Sequence, residues 1–187
     1  MKTLRVAIFL VVALIQLSVP ASVVWKREKT LRQGRVWKFK TEPVDPIDAI
    51  RGRYVALRVA AEKARPAERP SGDFMAGDVV YVTLKEDADG FAQVDQISTA
   101  LLKGDNVIKA KGGYFHDGWE YIVFPFDRLW LGETIAPEAE TAYRENSRRE
   151  KENAYVTVRV RDGDAALEQL FIDNQPLREY LRANPRK

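Results

Sequence analysis

The chain has 187 residues, 45% hydrophobic and 30% charged, and its 30 basic and 27 acidic side chains leave a net charge of +3. Charges of both signs are interspersed, so the composition carries no basic field of the kind that nucleic acid requires. With no cysteine at all, a disulfide framework, a thiolate nucleophile and a cysteine metal site are excluded.

The N-terminus is the most informative segment for topology. Lys2 and Arg5 precede twenty uncharged residues, Val6 to Trp25, and Lys26, Arg27 and Lys29 follow them. That length suits a helix crossing a hydrocarbon core of roughly 30 Å. Three readings compete for residues 1–25: an uncleaved anchor with Trp25 at the interface, a signal segment cut after Ala21, or a buried core helix, against which the N-terminal position and the flanking charges argue. We expect the anchor. Positive charge is denser after the run than before it, which would place the body in the cytoplasm. The start "MKTLR" followed by apolar residues is instead how an export signal begins, and export is the expectation adopted.

Residues 26–41 form a basic juxtamembrane segment, in which Val36, Trp37 and Phe39 predict a strand leading to a turn at Pro43 and Pro46. Contact between its basic residues and anionic lipid is the sharper alternative. From residue 42 to 187 the pattern predicts a mainly β domain, sandwich or barrel-like and built of hairpins. Val55, Leu57 and Val59 alternate with Tyr54, Ala56 and Arg58 as one strand. The segment 64–73, rich in proline and glycine, reads as a loop. A hairpin follows, with strands Val79–Leu84 and Phe91–Ile97 and its turn at Asp87 to Gly90. A second turns at Asp117-Gly118, and Pro125 marks an edge or bend beyond it. A surface helix is expected over 135–152, with Thr134 as N-cap, Pro137 in the first turn and a thin apolar stripe of Ile135, Ala139, Ala142 and Tyr143. The last hairpin sets Val156, Val158 and Val160 against Leu167, Leu170 and Ile172 around Asp162-Gly163, and the tail from Arg178 reads as a short helix.

Three stretches taken together are familiar: "LRQGR" at 31–35, "EPVDPIDAIRGRYVALRV" at 42–59 and "VTVRVRDGDAALEQLFIDNQPL" near the end, all after one apolar segment. In this order they resemble the GDYXXLXY protein family, membrane-anchored bacterial proteins without an assigned activity. Gly52, Tyr54 and Leu57 match the glycine, first tyrosine and leucine of the motif. Arg53 stands at its aspartate and Val59 at its last tyrosine, so chemistry resting on that aspartate is not available here. The resemblance implies a membrane anchor, and together with the export-type start the expectation is a single pass through the inner, cytoplasmic membrane with a periplasmic body. The resemblance also implies an integral membrane protein as partner, because such genes tend to neighbour those of multi-pass proteins.

Does the opening of the motif segment carry chemistry? Glu42, Asp45, Asp48 and Arg51 fall within ten residues, and two carboxylates beside a base can divide acid and base roles. The plainer reading is a rigid turn. Pro43 and Pro46 fix φ, Asp48 caps a turn, and Gly52 permits close approach before Tyr54. His116 lies in "YFHDGW" without a partner motif for catalysis or metal. Among Tyr121, Phe124, Phe126 and Trp130, a strand of period two would expose some rings, whereas a bend at Pro125 would bury them all. No cofactor or metal is expected. The reading adopted is a non-enzymatic domain binding a membrane protein, with its functional surface on Asp45, Pro46, Asp48, Arg51, Gly52, Arg53, Tyr54 and Leu57 or on the aromatic run. A hydrolase using the carboxylate turn and a lipid-surface binder are the alternatives.

Overall fold

The structure is a computed structural model and describes residues 2–42, 54–65, 74–132, 134–147, 151 and 153–184. Helix α1 runs unbroken from Lys2 to Gln33. Among the described residues its apolar side chains before Lys26 are nearly all bare, with Phe9 70%, Leu14 68% and Trp25 68% exposed. A helix hydrophobic all round has lipid or a core as its solvent, and here no core covers it. An 18-residue window within Phe9–Gln33 has a mean hydropathy of 1.8, and the helix is long and apolar enough to cross a membrane. Inside it the Ser18 and Ser22 hydroxyls donate to the Ile15 and Val19 carbonyls, each at 2.7 Å. Local satisfaction of that kind is what an apolar solvent demands of a polar group.

One residue joins α1 to the first strand, β1 (Arg35–Glu42). Gly34 donates its N–H to the Thr30 carbonyl at 2.8 Å. A Cβ at this position would lie 2.6 Å from that same oxygen and 3.0 Å from the Val160 carbonyl. Only glycine lets helix and sheet approach so closely.

The body is antiparallel throughout its named strands. Sheet I orders β12 (Gln175–Pro176), β11 (Asp164–Ile172), β10 (Ala154–Arg161), β1 and β3 (Arg58–Val59). Sheet II orders β4 (Lys63–Ala64), β8 (Trp119–Val123), β7 (Val107–His116), β5 (Val79–Glu86) and β6 (Ala92–Ser98). A two-stranded ribbon pairs β2 (Tyr54–Ala56) with β9 (Arg128–Trp130). The expected hairpins are therefore present, and their turns have the anticipated chemistry. Asp117 and Gly118 take φ of 51° and 76°, and Asp162 and Gly163 take 50° and 89°. Positive φ at both central residues is what a two-residue hairpin turn requires. At the β5–β6 turn the Asp87 carboxylate accepts from the Asp89 and Phe91 N–H groups at 3.0 and 2.8 Å.

Sheets I and II enclose one core. Phe39, Val156, Val158 and Val160 meet Val80, Val82 and Ile108 there, all at 0% exposure. Each such side chain stabilises the fold by about 1.5–3 kcal/mol through burial. Helix α2 (Ala136–Asn146) lies on the surface and buries the stripe Ala136, Ala139, Ala142, Tyr143 and Asn146. Its start departs from expectation: Ile135 occupies the N-cap position without a side-chain bond, so Thr134 does not cap it. Pro137 in the first turn lacks the amide that such a cap would satisfy. Asn146 donates to the Tyr180 hydroxyl at 3.2 Å, tying α2 to the short helix α3 (Leu177–Ala183).

Candidate functional site

Residues 54–64 pass through all three sheets in eleven positions. Tyr54–Ala56 pair with Trp130–Arg128 in the ribbon. Leu57 then donates its N–H to the Asp127 carbonyl at 2.8 Å. Arg58 and Val59 pair with Glu42 and Thr41 in sheet I. A 3-10 turn, Ala60–Glu62, leads to Lys63 and Ala64, which pair with Tyr121 and Glu120 in sheet II. The strand expected over 54–59 is thus broken at Leu57, where the chain changes sheets. Its alternation survives the break: Val55, Leu57 and Val59 are 0%, 6% and 2% exposed.

The motif residues that are described have separate tasks. Leu57 is core. Tyr54 faces outward and packs against Trp130 at 5.3 Å between ring centroids, with the Arg128 guanidinium 5.1 Å over its own ring. Arg128 is also 3.3 Å from the Asp127 carboxylate. Trp130 stays 62% exposed, so Tyr54, Asp127, Arg128 and Trp130 form an aromatic and charged outer face. Asp45, Pro46, Asp48, Arg51, Gly52 and Arg53 lie outside the described residues.

Pro125 resolves the aromatic run by ending β8 before Phe124. Phe124 and Phe126 are both buried, stacked at 5.2 Å and 13°, and both touch Phe39 across the core. Tyr121 is half-buried and stacks on Tyr114 at 4.3 Å. Of the four rings, Trp130 is the one left exposed. His116 ends β7, exposed beside the Asp117-Gly118 turn, as a turn histidine would be.

One group escaped the sequence reading. Glu62, on the 3-10 turn, is half-buried among Arg58, Glu42 and Asp127. Burial raises its carboxyl pKa to about 7; Arg58 pulls it down, while Glu42 and Asp127 add to the rise. Behind it, the Tyr143 hydroxyl donates to the Glu42 carbonyl at 3.1 Å, and burial pushes that phenol to about 12. A carboxyl near 7 can hold or release a proton at neutral pH, a property common at functional sites and also found in structural networks. Among the described residues no group of three histidine, aspartate or glutamate side chains is placed to hold a metal ion. The signal for Glu62 was weak: a single acid after an apolar strand in "VAAEKA", turned back towards the body by a 3-10 turn that periodicity does not reveal.

A family model described as GDYXXLXY protein matches residues 16–170. The match starts within α1 and runs through β10 into β11, so it takes in the helix-to-sheet junction and all three sheets. No curated protein and no solved structure matches the chain. Apolar helix, signature strand and closing hairpin agree with that match in their order, and the chain belongs to the GDYXXLXY protein family.

Proposed function

We propose that this is a single-pass membrane protein whose α1 stays attached as an anchor. Its periplasmic β domain acts, without catalysing a reaction, as the accessory or binding partner of an integral membrane protein. The observation that carries this reading is the rigid junction at Gly34. A one-residue connection, the Lys26–Asp164 ion pair at 2.8 Å, the Arg159 to Gly34 carbonyl bond at 3.2 Å and the Arg161–Gln33 contact hold sheet I against the end of α1. Each exposed pair is worth little alone. Together with the close backbone approach at Gly34 they favour one orientation of the body over the bilayer. A partner in the same membrane then meets a surface already positioned, which lowers the ordering cost of binding. The exposed Tyr54–Trp130 face is the surface we assign to that partner, because large exposed aromatics are enriched where proteins bind.

The test places a photo-crosslinking amino acid at Trp130, with Gln96, exposed on β6, as control position. Light should join the Trp130 variant, and not the Gln96 variant, to a protein that stays in carbonate-washed membranes. Equal adducts at both positions, or adducts with soluble proteins only, would sink the reading. The side of the membrane is tested separately. An Ala100→Cys variant of this cysteine-free chain should react with an impermeant maleimide in cells whose outer membrane alone has been opened. Reaction only after lysis would put the body in the cytoplasm.

A second reading has one observation in its favour. A cleft of about 490 Å³ between α1 and the β10–β11 turn is lined by Trp25, Lys26, Lys29 and Arg161, with Asp162 and Asp164 beside Arg161 and Lys26. Basic groups at that level suit anionic headgroups. Salt-sensitive loss of anionic-lipid enrichment around a Lys26→Gln/Lys29→Gln variant in nanodiscs would support it, and unchanged enrichment would remove it.

A further inference from the structure

Away from the Tyr54–Trp130 face, a cleft of about 360 Å³ opens between the 3-10 turn with β4 and the tip of the β5–β6 hairpin. Its size is within the range of small-molecule sites. Three cations line it, Lys40, Lys63 and Arg65, and so do two aromatic rings, Phe91 and Trp119. Lys63 and Arg65 are two apart along an extended segment and therefore share a face. Both lie over the same indole, at 4.7 and 4.2 Å from the Trp119 ring centroid, while Lys40 lies 4.8 Å over Phe91. Two cations gathered on one ring repel each other, and the negative ring face offsets only part of that cost.

Internal acid offsets this charge only in part. Asp87, the one carboxylate in the lining, is committed to the N–H groups of Asp89 and Phe91. Lys40 is 3.3 Å from the Asp89 carboxylate on the exposed hairpin tip. Lys63 and Arg65 make no ion pair with another described residue. Four alanines in the lining leave the space between the cations unfilled. The cleft thus combines converging positive charge, aromatic surface and free volume.

We infer that this cleft binds a small soluble phosphomonoester, with Lys63 and Arg65 holding the phosphate and Phe91 and Trp119 flanking its organic body. A guanidinium presents a planar fork that matches phosphate oxygens, and the neighbouring ammonium adds a point charge. A dianion would relieve the repulsion between them. Position favours a soluble source over a headgroup of the anchoring membrane. The β10–β11 turn is the end of sheet I that reaches Lys26, and β1 runs antiparallel to β10, with Arg35 opposite Val160 and Lys40 opposite Tyr155. Lys40 therefore sits at the other end of β1, about 17 Å along the strand from Arg35.

The experiment uses the full-length protein in phosphatidylcholine nanodiscs and titrates glucose 6-phosphate by calorimetry, with glucose as the neutral control. Binding of the phosphate ester, absent for glucose and weakened at least tenfold in Lys63→Gln/Arg65→Gln, is the expected result. A Trp119→Phe variant, which keeps a ring, should lose less than the double variant. No binding, or binding that the double variant leaves unchanged, overturns the proposal. A second arm replaces the free ester with phosphatidylglycerol in the disc. Crosslinking of that lipid through Lys63, with no heat from the soluble ester, would assign the phosphate to a headgroup and overturn the soluble source. Matched thermal melts of all variants exclude misfolding as the cause.

Discussion

Tyr54 and Trp130 stand directly opposite each other in the β2–β9 ribbon, their rings 5.3 Å apart and tilted by 58°. The signature tyrosine thus has an exposed partner that is distant in sequence, while the signature leucine three residues later is buried in the core. Substitutions on one short strand should then fall into two classes. Trp130→Ala removes a surface aromatic pair and should cost about 0.5–1.5 kcal/mol. Leu57→Ala removes packed core volume and should cost about 2–5 kcal/mol. Urea titrations of the full-length protein in detergent would separate them. Equal losses would mean that the Tyr54–Trp130 face is structural.

The Gly34 junction makes its own prediction. In Gly34→Ala the new methyl would meet the Thr30 and Val160 carbonyl oxygens at 2.6 and 3.0 Å. Neither is a flexible side chain that can swing away, so α1 must shift against sheet I, at a cost of about 1–3 kcal/mol. Spin labels at Leu17→Cys and Gln96→Cys would report a broadened or displaced distance distribution in the Gly34→Ala background. An unchanged distribution would show that the junction does not set the orientation of the body.

Glu62 links stability to pH. Its carboxyl lies at about 7 in the fold, against 4.5 as the ordinary value, chiefly through burial. Between these pH values the unfolded chain has lost the proton and the folded chain has kept it. Stability should therefore fall as pH rises from 4.5 to about 7, then level off. Glu62→Gln should flatten this dependence, gaining up to about 3 kcal/mol above pH 7 and almost nothing at pH 4. Melting temperatures measured across pH 4–8 would decide, and parallel curves for the two proteins would refute the assignment.

Tyr143 acts at the other end of the scale. Its folded phenol is raised to about 12 from 10, again chiefly by burial. Below pH 10 it makes no difference between the states; from 10 to 12 the unfolded chain ionises first and stability falls. Tyr143→Phe should remove that alkaline loss. It should also cost about 1 kcal/mol at neutral pH, since the Glu42 carbonyl loses its donor. Denaturant midpoints at pH 7 and pH 11 test both halves of the prediction.

Much of the architecture was legible because it rests on local rules. Asp162-Gly163 and Asp117-Gly118 announce their hairpins, since few residue pairs tolerate positive φ in sequence. The alternation of Val55, Leu57 and Val59 identifies a buried face wherever the strand goes. What no local rule supplied was the destination of that strand. Its break at Leu57, between the ribbon and sheet I, depends on the Asp127 carbonyl, which is contributed by a distant loop.

The candidate sites show the same division. That Val6 to Trp25 suits a membrane, and that Arg53 replaces the motif aspartate, are properties of the order of residues alone. Which ring of the aromatic run stays outside was decided by tertiary structure. Pro125 ends β8, Phe39 receives Phe124 and Phe126, and Trp130 is left opposite Tyr54. Glu62 acquires its raised pKa only when the 3-10 turn is buried beside Arg58, Glu42 and Asp127, and Lys63 and Arg65 acquire their shared indole only when β4 joins sheet II. Charge in a sequence is a count; its energy depends on burial and on neighbours that are far away along the chain. The sequence determines the helix, the hairpins and the buried faces of the strands, and only folding decides which charges and rings meet at the surface.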